Sequence, residues 1–195
     1  ENDKYLGNVS NTVVLTVNKI STNISVEFTT PKFVGDDVVI TVRLNESINA
    51  TAKLSVGSEV YDVAIVNGVG TFVAKGLAND TYSINATFLG NDDYSGSTSG
   101  IEELEVNKIS TTVTLDIDHD VINVGDDAVI TITLNRTINA TVKLNISGDI
   151  KDVAIINGVG TFVASGLGND TYSINATYAG DDKYTGNNSN VLSNR

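Results

Sequence analysis

Cysteine, methionine, tryptophan and glutamine are absent from the 195 residues, and proline and histidine occur once each. Without Cys there is no disulfide, no thiolate nucleophile and no zinc–sulfur site, so the folding energy has to come from packing. Long apolar runs are missing too: nothing approaches the roughly 18 consecutive apolar residues that cross a bilayer, which reads against membrane insertion in this segment. The opening Glu1 to Gly7 lacks the basic start and apolar run of a signal peptide, so the chain reads as an internal or processed piece. Positive charge is scarce, with 12 Lys and Arg against 24 Asp and Glu, a net charge of -12. Such a surface repels phosphate backbones and anionic lipid, and nucleic acid is not an expected partner.

What is present is repetition. Ile65-Val66-Asn67-Gly68-Val69-Gly70-Thr71-Phe72-Val73-Ala74 returns 90 positions later as Ile155 to Ala164 with one change, and Asn79 to Thr87 returns as Asn169 to Thr177. Val17-Asn18-Lys19-Ile20-Ser21-Thr22 returns as Val106 to Thr111. Two units of about 90 residues follow, spanning 18–106 and 107–195. The opening Asn2 to Gly7 matches Asn91 to Gly96 and Asp181 to Gly186, both near the end of a unit, so residues 1–17 read as the terminal strand of a preceding repeat in an array.

Within a unit the period is two. Val38, Ile40, Val42 and Leu44 alternate with Val39, Thr41 and Arg43, and Ala128, Ile130, Ile132 and Leu134 repeat the pattern. Helical periodicity is absent and turn signals recur every 8 to 12 residues or so, which is an all-β pattern of seven strands per unit with one dry face. Asn67-Gly68 and Asn157-Gly158 are two-residue turn signals, because Asn and Gly accept positive φ at least cost; they predict antiparallel pairing of the strands ending at Val66 and starting at Val69.

Tyr82 and Tyr172 each stand just after an acidic turn and two residues before an inward Ile, an arrangement that resembles the tyrosine corner of immunoglobulin folds. Ile84 and Ile174 then occupy the place where antibody domains carry Cys. The motifs Val-Gly-Asp-Asp (34–37), Asn-Asp-Thr-Tyr-Ser-Ile-Asn-Ala-Thr (79–87), Gly-Asn-Asp-Asp-Tyr-Ser-Gly (90–96) and Val-Asn-Lys-Ile-Ser-Thr (106–111) together resemble the bacterial-type Ig-like (Big) repeats of adhesin-like surface proteins, especially those of methanogenic archaea. The resemblance covers the whole chain. It implies two tandem immunoglobulin-like seven-stranded Greek-key β-sandwiches, placed at the cell surface outside the cell and serving as a stalk that supports adhesion. Its partners would be neighbouring Ig-like repeats and, if a loop end around Tyr94 or Tyr184 binds directly, another cell's surface glycan or protein.

Chemistry has few footholds. A hydrolytic triad would need His119, the lone His, whose surroundings have no counterpart in the first unit, so no enzyme is expected. Asp116, Asp118 and Asp120 alternate like calcium ligands but lack the following Gly and distant Glu of an EF-hand, and the bland alternative is a solvated loop. The pairs Asp36-Asp37, Asp92-Asp93, Asp126-Asp127 and Asp181-Asp182 are further calcium candidates between units, against a plainer role in capping turns. No other cofactor is implied. Thioester and Thr–Gln ester cross-links are excluded because Cys and Gln are missing; a Lys–Asn or Lys–Asp isopeptide stays open, with Lys19 and Lys108 better placed than the outward Lys53 and Lys143. Twelve Asn-x-Ser/Thr sequons occur among 23 Asn, and Asn49, Asn79, Asn85, Asn139, Asn169 and Asn175 are the glycosylation candidates. Finally, the last unit stops at Val191-Leu192-Ser193-Asn194-Arg195, shorter than the Thr12–Val17 and Glu103–Val106 strands it should parallel, which predicts that the orphan segment 8–17 packs on the sheet edge of a neighbouring copy.

Overall fold

The computed structural model describes residues 7–193. The expected terminal strand of a preceding repeat, residues 1–17, falls partly outside them, at residues 1–6. The described part of that segment, residues 7–17, belongs to no strand, and every residue in it is exposed.

The first module contains β1 (Ile24–Glu27), β2 (Lys32–Phe33), β3 (Val38–Leu44), β4 (Ala50–Val56), β5 (Glu59–Ile65), β6 (Val69–Ala74), β7 (Asp80–Phe88), β8 (Ser97–Thr98) and β9 (Glu102–Asn107). One sheet has the order β1-β3-β6 and the other β2-β9-β7-β4-β5, with β8 added to β7. The second module contains β10 (Val113–Ile117), β11 (Ala128–Leu134), β12 (Ala140–Ile146), β13 (Asp149–Ile155), β14 (Val159–Ala164), β15 (Ser173–Gly180), β16 (Thr185–Asn188) and β17 (Leu192–Ser193). Its sheets run β10-β11-β14 and β13-β12-β15-β16, with β17 also on β15. No described residue is helical, and no sheet joins strands of the two modules. Consecutive strands switch sheets at β3 to β4, β5 to β6 and β6 to β7, which is the Greek-key sandwich of immunoglobulin-like folds.

The alternation in sequence becomes the core. Val38, Ile40, Val42 and Leu44 point inward from β3, and Ala52, Leu54 and Val56 meet them from β4, while Ile84, Ala86, Phe88, Leu104 and Val106 complete the layer. The second module repeats this with Ile130, Ile132, Leu144, Ile146, Ile174 and Tyr178. Leu54 and Leu144 are 0% exposed, and each fully buried Leu is worth about 1.5–3 kcal/mol over an exposed one. On the outer face Lys53 lies directly across from Asp62, at 2.6 Å, and Lys143 across from Asp152, at 2.5 Å. All four side chains are exposed, so each pair contributes less than about 1 kcal/mol.

One expectation needs correction. The Asn-Gly turns do not open hairpins: Val66 and Val69 make one antiparallel bridge, as do Ile156 and Val159, and then the strands part. β5 stays with β4, whereas β6 crosses to the opposite sheet and pairs with β3. In the second module the same crossing pairs Thr133 with Val159 and Ala128 with Ala164. β3 takes β6 as its partner in the other sheet, and the two strands cross closely as they part. A Cβ on Gly70 would fall 2.5 Å from the Ala64 carbonyl oxygen and 2.8 Å from Ile65 Cδ1, so the two strands pass at a distance only Gly permits.

Candidate functional site

The turn residues act on the end of β3. Asn67 and Gly68 have φ of 49° and 83°, and Asn157 and Gly158 have 51° and 89°. The Asn67 N–H donates to Asn49 Oδ1 at 2.9 Å, Gly68 N–H to the Ile48 carbonyl at 3.0 Å, and Leu44 N–H to the Gly68 carbonyl at 2.8 Å. Asn139 accepts from Asn157 N–H at the same 2.9 Å. Asn49 and Asn139 are thus exposed sequon residues whose side-chain oxygens pin a turn.

Tyr82 and Tyr172 form the expected corners. The Ala78 N–H donates to the Tyr82 hydroxyl at 3.1 Å, and that hydroxyl donates back to the Ala78 carbonyl at 3.3 Å. Gly168 and Tyr172 make the equivalent pair at 3.0 and 3.5 Å. Each half-buried ring therefore clips the loop that enters β7 or precedes β15.

The acidic trio does not gather. Asp116 lies inside β10 opposite Thr131, while Asp118 Oδ1 accepts the Val129 N–H at 2.8 Å and holds the end of the β10–β11 ladder. That backbone bond is the main influence drawing the Asp118 carboxyl below its ordinary range, helped by His119, whose Nδ1 lies 3.3 Å from Asp118 Oδ2. No group of three or more His, Asp or Glu able to hold a metal ion occurs among the described residues. The acidic pairs close turns and meet nearby cations: Asp36 Oδ2 accepts Phe33 N–H, Asp126 Oδ2 accepts Asn123 N–H, and Asp37 lies 3.0 Å from Lys75 Nζ.

Lys19 and Lys108 occupy equivalent places. Lys19 Nζ donates to the Asn91 main-chain carbonyl at 2.5 Å and Lys108 Nζ to that of Asp181 at 2.6 Å. Both contacts are exposed and address a peptide carbonyl, whereas isopeptide formation requires a buried neutral amine against a side-chain carboxyl or amide carbon. Among the remaining sequons, Asn79 and Asn169 are exposed; Asn85 and Asn175 are half-buried on the outer face of β7 and β15, opposite Ser55 and Asn145.

Sequence reasoning marked the loop that Lys19 and Lys108 touch by its motif but missed the bonds that build it. Asn91 Oδ1 accepts the N–H groups of Asp93 and Tyr94, and Asp181 Oδ1 those of Lys183 and Tyr184. The backbone at Tyr94 then bridges Ile20 in parallel, and that at Tyr184 bridges Ile109. In the second loop Tyr178 donates its hydroxyl to Asp181 Oδ2 at 3.1 Å. Desolvation, then the neighbouring Asp181 carboxylate, pushes the Tyr178 phenol up to about 12. Partial burial pulls the Asp181 carboxyl upward, but the Tyr184 and Lys183 N–H groups, the Tyr178 hydroxyl and Lys108 outweigh it, and the net direction is down. A signal was available: where the first module has Phe88 and Asn91 the second has Tyr178 and Asp181, two changes that make sense only together.

The second module also carries a groove of ≈830 Å³ at the end of its sandwich, lined by Leu115, Ile117, Ile122, Leu167, Ile174 and Leu192 among others. At the equivalent end of the first module a hollow of only ≈240 Å³ remains, and Val106 is among its lining residues.

The strand order defines the class: tandem immunoglobulin-like β-sandwich modules. No protein-family model matches the chain, and no curated protein sequence matches it. Among solved structures it is similar to the fibronectin(III)-like modules of Clostridium thermocellum CbhA, at 16% identity over 87% of this chain and 91% of that one, with a TM-score of 0.36. The class rests on the sheets themselves rather than on that likeness.

Proposed function

We propose that the chain is a stalk or spacer segment of a repetitive, adhesin-like protein on the outside of a cell, possessing no catalytic site and supporting adhesion by carrying other parts outward. The observation that carries this reading is which residues the two modules share. The near-identical stretches 65–74 and 155–164, and 79–87 and 169–177, supply core strands, the Asn-Gly turn and the tyrosine corner. They are the parts that hold a sandwich together. The one His, in the acidic stretch Asp116 to Asp120, has no counterpart in the first module, as a site serving every repeat would have. Direct recognition of a glycan or protein near Tyr94 and Tyr184 is the weaker reading, because both residues sit where main-chain bridges to Ile20 and Ile109 already account for them. Sugars on the outward sequons and calcium at the acidic turns are compatible additions.

Pulling single chains from both ends tests the spacer role. Two separate unfolding events are expected, each releasing roughly 300 Å of extended chain for a unit of about 90 residues. In parallel, labelled chain is applied to whole cells and to immobilised glycans. Saturable binding at micromolar chain concentration would sink the spacer reading in favour of an adhesive module.

A further inference from the structure

The two Asn-Gly turns carry a reactive sequence in an unreactive shape. Of the 23 Asn, Asn67 and Asn157 are the two followed by Gly. In an open chain such an Asn is especially labile, because Gly has no side chain to hinder its own nitrogen from reaching the Asn side chain. The Gly nitrogen attacks Asn Cγ, and the new N–Cγ bond closes a five-membered succinimide. The Cγ–Nδ2 bond breaks, and that nitrogen leaves as ammonia, taking the Gly amide proton. Water then opens the ring. Cleavage at the side-chain carbonyl leaves Asp, and cleavage at the main-chain carbonyl leaves isoaspartate, whose backbone runs through Cβ and Cγ.

Two features of the fold hold each pair short of the first step. One is torsional. Ring closure needs the Gly nitrogen eclipsed with the Asn Cβ about the Cα–C bond, within about 3–3.5 Å of Cγ. Asn67 and Asn157 have φ of 49° and 51°. In that left-handed region ψ is about +47°, which turns the next nitrogen nearly opposite Cβ.

The other feature is the set of bonds that fixes this torsion. On one side of it Asn67 N–H donates to Asn49 Oδ1 at 2.9 Å, and on the other Gly68 N–H donates to the Ile48 carbonyl at 3.0 Å. Asn157 N–H and Gly158 N–H make the same bonds to Asn139 Oδ1 and the Ile138 carbonyl, at 2.9 and 2.8 Å. Gly68 and Gly158 are buried, and a Cβ on them would fall 2.8 Å from the Glu46 carbonyl oxygen and 2.6 Å from that of Arg136. Swinging either nitrogen toward Cγ therefore breaks its bond to Ile48 or Ile138 and drives the peptide out of close packing. The same tightness that demands Gly at the turn makes the unfolded sequence quick to react.

We propose that Asn67 and Asn157 are latent covalent modification sites, one per module, closed in the folded turn and opened to succinimide formation when that module unfolds. Folded chain then reacts only through its open fraction, as the turn opens and closes faster than the ring forms. Isoaspartate adds one atom to the main chain between the N–H groups that bond Asn49 and Ile48, so the two bonds cannot be made together in the native geometry. A module left unfolded long enough is thereby marked for good. The chemistry is the same whether or not the chain is a stalk.

The full chain, made without sugars, is held in mildly alkaline buffer and, in parallel, in guanidinium chloride beyond the unfolding transition; isoaspartate at 67 and 157 is then measured in digests. In denaturant both sites should convert faster than any other Asn of the chain, and in buffer at least about a hundredfold more slowly than in denaturant. Asn49→Ala removes the acceptor of Asn67 N–H at an exposed position, and in buffer it should raise conversion at 67 about fivefold while 157, in the same molecule, keeps its rate. A smaller difference between buffer and denaturant overturns the proposal. So does a denatured chain in which Asn67 and Asn157 react no faster than Asn79 or Asn91, or an Asn49→Ala chain whose rate at 67 does not part from that at 157.

Discussion

Replacing Gly70 with Ala tests how closely β5 and β6 cross, because two effects of opposite sign compete there. Gly70 has no positive φ, so its backbone alone would accept Ala, and the lost freedom of the unfolded chain would stabilise the module by about 0.4–1 kcal/mol. The crossing opposes this. The new methyl would lie 2.5 Å from the Ala64 carbonyl oxygen, 2.8 Å from Ile65 Cδ1 and 2.9 Å from Val63 Cγ1. Two of these atoms belong to buried side chains and the third to strand backbone, so none can swing aside. Overpacking of this kind costs about 1–3 kcal/mol, occasionally more, and with a main-chain atom as the nearest neighbour the upper part of the range applies. The net expectation is a loss of about 2 kcal/mol, which for a module of this size lowers the melting temperature by roughly 8–16 °C. Calorimetry of the full chain reads it, and Gly160→Ala should repeat it, since Ala154 O lies 2.5 Å and Ile155 Cδ1 2.7 Å from its added methyl. A melting temperature that is unchanged or raised in both variants would refute the close crossing.

Three further outcomes are expected. Tyr82→Phe and Tyr172→Phe each remove a hydroxyl that serves one N–H and one carbonyl, and because those backbone groups are exposed to water the loss should be about 1 kcal/mol per corner in urea titrations. The Tyr178 phenol is raised in the folded state to about 12, so its protonated form contributes stability that is fully present below pH 10.0 and is lost as pH climbs through about 12. Tyr178→Phe, which restores the residue found at Phe88, should remove that alkaline slope, and an unchanged slope in the urea midpoint would contradict a Tyr178 phenol raised chiefly by burial. Intact mass should show no deficit of ammonia or water per module, because Lys19 and Lys108 are solvated and face peptide carbonyls.

The two sandwiches were legible because alternation survives almost without interruption: every second residue of β3, β4, β11 and β12 that reads apolar is buried, save Ala50 and Ala140 at the strand starts, which are half-buried. The tyrosine corner was legible for a local reason, its hydroxyl reaching only four residues back. What escaped was non-local. Asn67-Gly68 specifies two positive φ values and hence a reversal, but whether the strands beyond it remain partners depends on β3 competing for β6 from the other sheet. The Tyr178–Asp181 bond escaped because each residue alone looks like an ordinary substitution of Phe88 or Asn91. The acidic trio misled in the opposite way: residues spaced by two in a strand share a side of the sheet, but Asp118 turns its carboxylate to the neighbouring strand's N–H rather than toward Asp116.

Ile84 and Ile174 fill the sandwich where related folds are cross-linked, and the consequence reaches past stability. With no sulfur atom in the chain, peroxide and thiol buffers find no thiol, thioether or disulfide to act on, so the modules should unfold at the same point in strong reductant and in oxidant. The same blankness makes them a convenient ruler. One Cys introduced at the outward Val39 and another at the outward Val129 would be the sole reactive handles, ready to carry a donor and an acceptor dye through each of the measurements described above.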